Sequence, residues 1–175
     1  MRLDFDALLP LIRKDELYER FKVFAEMEKY TLLNPPYEKK VAVELIKKAQ
    51  QELDFVFPKQ YVKLMICCDG GLLFTNLIYS IYDPDNEEKD LVKTNKWLRE
   101  GSVIPEGTVA IGMTNYGGYI VIQESREEKI GIWDSYEKEY AADFDTICDW
   151  LDDVIEEAWY IQKSGGLQEI YDEEE

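Results

Sequence analysis

The chain contains no histidine. That removes the side chain most used for proton transfer near neutral pH, the Ser–His and Cys–His nucleophile pairs, and nearly all catalytic zinc sites. Cysteine is sparse: Cys67, Cys68 and Cys148 show no CxxC spacing and define no disulfide framework. They read as reduced, mostly buried thiols of a cytoplasmic protein, with no base or cation close in sequence to activate Cys67 or Cys68. Positive charge is short as well, since 20 Lys+Arg face 37 Asp+Glu for a net −17. So acidic a chain repels phosphate backbones and anionic lipid, which need basic residues to neutralise them, and neither nucleic acid nor membrane is expected as a direct partner. No apolar run is long enough for a membrane span. The longest uncharged stretch, Gly107 to Gln123, has 17 residues and is broken by Gly112, Gly117 and Gly118. It reads as two strands and a turn. Acids at Asp4 and Asp6 stand where a secretory leader carries basic and apolar residues, so none is expected.

What is present suits one packed domain: 175 residues, 46% hydrophobic and 13% aromatic. Leu8, Leu11, Ile12, Leu17, Phe21 and Phe24 recur with helical period, with Asp4 as a plausible N-cap, and Asn34-Pro35-Pro36 stops this element. A second helix is expected from about Tyr37 to Leu53, with Val41, Leu45, Ile46, Ala49 and Leu53 on one face. A third starts at Phe57-Pro58, carries Tyr61, Leu64, Met65 and Cys68, and ends at Asp69-Gly70-Gly71. Strand-like runs follow at Leu72–Phe74 and Leu77–Tyr82 around a Thr75-Asn76 turn. Then come a loop at Asp83–Asn86, a short helix over Lys89–Arg99, and a hairpin of Val109–Met113 and Tyr119–Gln123 about Thr114–Gly118. Ile130–Trp133 is a further strand, with Trp133 in the core, and Tyr140 marks a brief edge. Phe144, Ile147, Cys148, Leu151, Ile155, Ala158 and Trp159 form the apolar stripe of a final helix; Trp150 lies off it, packed against a neighbour or exposed. The order gives an α+β single domain, an antiparallel sheet of about four to six strands packed against flanking helices. Its parts are an N-terminal helical extension over 1–33, an α+β domain over 34–162 and an acidic tail over 163–175.

The excess charge is localised. From Asp134 onward there are 15 acidic and 2 basic residues, a net −13, against −4 for the first 133 residues. Asp145/Asp149, Asp149/Asp153, Asp152/Glu156 and Asp153/Glu157 are like-charge i,i+4 pairs. Each destabilises an isolated helix by roughly 0.2–0.5 kcal/mol. A solvated face, a divalent-cation site or a surface facing a basic partner can each account for them, and the partner gives the arrangement a use.

Other patterns fail on their chemistry. Gly112-x-x-x-x-Gly117-Gly118 lacks the Lys-Ser/Thr of a phosphate loop, and Asp83-x-Asp85-x-Glu87 lacks the glycine and the final glutamate of an EF-hand loop. A glycosidase needs two acids in a cleft with one pKa raised by burial, and no acid here is marked as buried. No cofactor or metal is called for.

The order of short motifs is distinctive. Ala42-Val43-Glu44-Leu45-Ile46 leads to Phe57-Pro58-x-x-Tyr61-x-x-Leu64, then Asp69-Gly70-Gly71, Ile111-Gly112, Gly117-Gly118-Tyr119-Ile120, Ile130-x-x-Trp133-Asp134, and Phe144-Asp145-x-Ile147-Cys148-x-Trp150-Leu151. This order resembles the SUKH superfamily, which groups fungal Smi/Knr-type cell-wall regulators with bacterial immunity proteins, over about Pro36 to Trp159. Tyr119 stands where that family often has an acid. The resemblance implies a non-enzymatic α+β protein that neutralises a cognate toxin, often a nuclease, by direct binding. Gly70, Gly71, Gly117 and Gly118 carry over as backbone-geometry residues only. A basic toxin domain is thus the expected partner, met by Asp145, Asp149, Asp152, Asp153, Glu156 and Tyr116, on a protein that is a monomer or weak dimer. The competing reading is a regulatory scaffold binding a cellular protein through its sheet, with Tyr79, Tyr82 and Tyr116 in contact.

Overall fold

A computed structural model describes residues 16–26, 31–34, 39–124 and 129–164. Leu8, Leu11, Ile12, the Asp4 cap, Pro35-Pro36 and most of the acidic tail fall outside the described residues.

The first described helix, α1 (Glu16–Glu26), buries Leu17 and Phe24, two residues of the expected stripe. Strand β1 (Leu32–Leu33) follows, then α2 (Lys39–Leu53) and α3 (Lys59–Cys67). Helix α2 buries Ala42, Ile46, Ala49 and Leu53 at i, i+4, i+7 and i+11, whereas Val41 is exposed. The inward face is thus centred one residue later than the sequence reading had it. Helix α3 begins at Pro58, which needs no N–H partner there, and ends when Cys68 turns extended at φ −151 while its N–H still reaches Leu64 O at 3.0 Å. Gly71 then takes φ +115, and a Cβ there would lie 2.2 Å from Leu32 O, so only glycine lets the chain pass that close to β1.

The remaining elements are β2 (Gly71–Leu73), β3 (Asn76–Ile78), a 3₁₀ turn (Glu87–Lys89), α4 (Leu91–Glu100), β4 (Thr108–Met113), β5 (Tyr119–Gln123), β6 (Ile130–Asp134), β7 (Glu139–Phe144) and α5 (Ile147–Ser164). The strands form one sheet in the order β1-β2-β3-β4-β5-β6-β7, every neighbouring pair antiparallel. This is the expected α+β fold with seven strands, slightly above four to six. The extra strands are short or half-exposed: β1 has two residues, and β7 alternates exposed and half-buried positions, a pattern with little apolar signal. Leu32–Leu33 lies within the stretch read as a helical extension and pairs with β2.

Three local expectations shift. The β2–β3 turn is Phe74-Thr75, with Phe74 at φ +58, and buried Asn76 opens β3. Phe144 closes β7 and is not the first residue of the last helix, which Thr146 starts by accepting from the Asp149 N–H at 3.1 Å. Tyr140 belongs to a six-residue strand.

The middle of the sheet is covered on both faces, since Val109, Ala110 and Ile111 of β4 and Ile120, Val121 and Ile122 of β5 are all buried. Helix α4 is tied to β4 by Asn95. Its amide donates to Leu91 O at 2.8 Å and Ala110 O at 2.7 Å, and its carbonyl accepts from Ala110 N at 2.7 Å. Helix α2 packs between α3 and α4, while α5 packs against α1 and β7.

Candidate partner-binding surface

The buried side of α5 is Ile147, Cys148, Trp150, Leu151, Val154 and Ala158. Trp150 is 2% exposed, so it lies on the packed face; Trp159, read as part of the stripe, is 39% exposed at its margin. The packed arc is rotated toward Trp150 and Val154. Asp149, Asp153, Glu156 and Tyr160 therefore share the outward ridge at i, i+4, i+7 and i+11, and all four are exposed.

The acids divide by what they already hold. Asp152 faces α1, where Arg20 grips it with Nε at 2.9 Å and Nη2 at 2.6 Å while also donating to Cys148 O. The Asp152 carboxylate holds the Arg20 guanidinium above its ordinary pKa. Asp145, just before α5, pairs with Lys129 at 2.9 Å. Asp149 accepts from the Thr146 hydroxyl at 2.7 Å as part of the helix start. Asp153, Glu156 and Glu157 have no cation partner among the described residues.

Tyr116, at the tip of the β4–β5 hairpin, is 66% exposed. Partial desolvation raises its phenol pKa, with the carboxylates of Glu157 and Asp153 adding to the rise. Glu157 is itself pushed up from the ordinary carboxylate range, first by burial and then by Asp153. The hairpin tip thus lies within electrostatic reach of α5, where Tyr116 senses two acids distant in sequence. Glu157 was absent from the expected set, as was Tyr160, which is 75% exposed on the ridge. Glycine serves the hairpin differently at its two positions. Gly117 takes φ +89, whereas a Cβ on Gly118 would meet Ile132 Cγ2 at 2.7 Å, so the first is needed for its conformation and the second for its packing.

The tyrosines of the scaffold reading do not form one surface. Tyr79 is 2% exposed and cannot touch a partner, Tyr82 lines a cleft between α2 and α4, and Tyr116 lies at the β4–β5 hairpin tip. Another cleft, about 540 Å³, lies between α4 and the sheet, with Trp97, Met113 and Tyr119 in its wall. Trp97 is exposed at the mouth of this cleft, which neither Tyr82 nor Tyr116 lines.

All three cysteines are free and buried. The Cys68 thiol is pushed up to about 12 by burial. Among the described residues no group of three or more His, Cys, Asp or Glu side chains is placed to hold a metal, and no helix is long and apolar enough to cross a membrane.

The acidic helix ridge, the exposed tyrosine and the two clefts all sit on a seven-stranded antiparallel meander. The family model described as SMI1 / KNR4 family (SUKH-1) matches residues 40–153, and the chain belongs to that family. No curated protein matches the chain significantly.

Proposed function

We propose that the protein is a non-enzymatic immunity protein that neutralises a cognate basic toxin domain, such as a nuclease, by binding it through the outward face of α5 and the adjoining Tyr116. The observation that carries this reading is the set of unpaired carboxylates on Asp153, Glu156 and Glu157 beside an exposed tyrosine. Holding these charges together costs stability, and a cationic partner offsets that cost. A nuclease site is basic because it must hold phosphates, so an acidic surface can occupy it. An exposed tyrosine near such a patch can supply the apolar contact that interface anchors provide. Family membership supports a role in immunity or regulation. The three buried thiols suit a reducing, cytoplasmic setting.

The test is a pull-down from the source cell's lysate at low and physiological salt, with Asp153→Lys/Glu156→Lys as control. One basic domain should be recovered by the native protein and lost with the variant. Recovery of the same proteins by both would overturn the assignment of α5.

The sheet side favours a second reading, a scaffold that binds a cellular protein at the Trp97 cleft, whose volume lies in the range typical of ligand sites. Under it, Trp97→Ala abolishes capture while charge reversal on α5 is harmless.

A further inference from the structure

The chain's positive charge is as localised as its negative charge. Helices α2, α3 and α4 together carry 9 basic and 3 acidic residues, a net +6 in a chain of net −17. Lys40, Lys47, Lys48, Lys59, Lys63, Lys93 and Lys96 are all exposed on them. Between α2 and α4 lies a cleft of about 250 Å³. Its floor is Leu45, Ala49, Ile81 and Val92; its rim is Lys48, Lys93 and Lys96, with Glu52, Asp90 and Tyr82. Glu52 serves two of these lysines, Lys96 at 2.6 Å and Lys48 at 3.8 Å, and Lys93 pairs with Glu87 at 2.8 Å. Asp90 is buried and spends its carboxylate on the N–H groups of Lys93 and Asp83. One shared glutamate leaves Lys48 and Lys96 room for a further carboxylate. The cleft is smaller than the roughly 300–1,000 Å³ of small-molecule sites but large enough for one side chain.

The complementary charge is on the same molecule. Tyr160 projects from α5, with Asp153, Glu156 and Glu157 on the turns before it. We infer that a second copy of this chain docks its α5 ridge onto the α2–α4 cleft, Tyr160 entering the apolar floor and the ridge carboxylates meeting Lys48 and Lys96. The donor and acceptor surfaces are on different elements, so the contact is head-to-tail. Two copies of net −17 repel at long range, yet at 0.15 M salt the screening length is about 8 Å, so the charges at the contact decide the outcome. At about 0.01 M that length grows to roughly 30 Å and the whole charge acts. Association is therefore stronger at 0.15 M than at the lower salt. It also covers the ridge, so any basic partner of α5 competes with it.

Sedimentation velocity on the full chain tests this, across about a hundredfold range of concentration. The native protein should sediment faster as concentration rises at 0.15 M salt. Lys48→Glu/Lys96→Glu, Asp153→Lys/Glu156→Lys and Tyr160→Ala should each weaken association at least tenfold while keeping the native circular dichroism. The two charge variants mixed in equal amounts should associate again, because each then presents the sign the other lacks. A native protein that stays monomeric throughout, or a mixture that does not re-associate, overturns the contact. Absence of self-association in the native protein, with its capture of a basic partner intact, would sink this inference and leave the toxin reading standing.

Discussion

At the residue scale the site is set by which acids are already paired. Asp152, one of the expected partner-binding acids, is held by Arg20, and the two lie 132 residues apart, a pairing no local pattern encodes. Reversing Asp152 would damage α1 packing and binding together, so Asp153 and Glu156 are the informative positions. Asn95 is a different case, fully buried in α4 with both ends of its amide used on Leu91 and Ala110. Asn95→Leu strands the Ala110 N–H and C=O and should cost on the order of 3 kcal/mol. For a chain of this length that is a fall in melting temperature of about 6–12 °C, readable by calorimetry. The thiols make a further prediction. Ellman's reagent should find almost no fast-reacting cysteine in the native protein and three after denaturation. Rapid native reaction would contradict their burial. Because folding raises the Cys68 pKa from 9.0 to about 12, its contribution to stability is complete below pH 9 and is lost as pH rises toward 12. Buried Tyr61 and Tyr79 are raised in the same direction, so thermal melts should show stability declining from about pH 9 upward.

At the element scale, the last helix shows what periodicity can carry. Its existence and acidic outer side were legible, because apolar residues recur every three to four positions. Its orientation was not. Apolar residues flank the stripe on both sides, and only packing against α1 and β7 selects Trp150 and Val154 for the interior and leaves Trp159 at the margin. Strand β7 was read as a brief edge because its exposed positions hide the apolar half of the pattern. The electrostatic influence of Glu157 on Tyr116 was equally invisible, since it links a hairpin tip to a helix distant in sequence. Glu157 yields a prediction at this scale. Burial raises its carboxyl pKa, so its ionised form is disfavoured by the fold, and stability gained below the unfolded-state pKa is lost as pH rises through the raised folded value. Glu157→Gln should therefore raise the melting temperature at neutral pH while weakening capture of a basic partner. That opposition marks a residue kept for function. A lower melting temperature would show that Glu157 has a stabilising role instead.

At the scale of the whole molecule, the sheet meander and its helices separate two charge fields, acidic on α5 and basic on α2, α3 and α4. The sequence alone showed the acidic block, because it is contiguous, but missed the basic layer, which is spread over three helices and hidden in a net −17. Steering follows from the acidic field. The association rate with a basic domain should fall steeply with added salt in stopped-flow measurements, and less steeply for Asp153→Lys/Glu156→Lys. In the proposed function the α5 face neutralises a basic toxin. The most direct measurement is survival of cells expressing the captured basic domain together with either the native protein or Asp153→Lys/Glu156→Lys, after both are shown to be equally folded and abundant. Growth rescued by the native protein and lost with the charge-reversed one is the predicted result. Equal rescue by both would show that the contact lies away from α5.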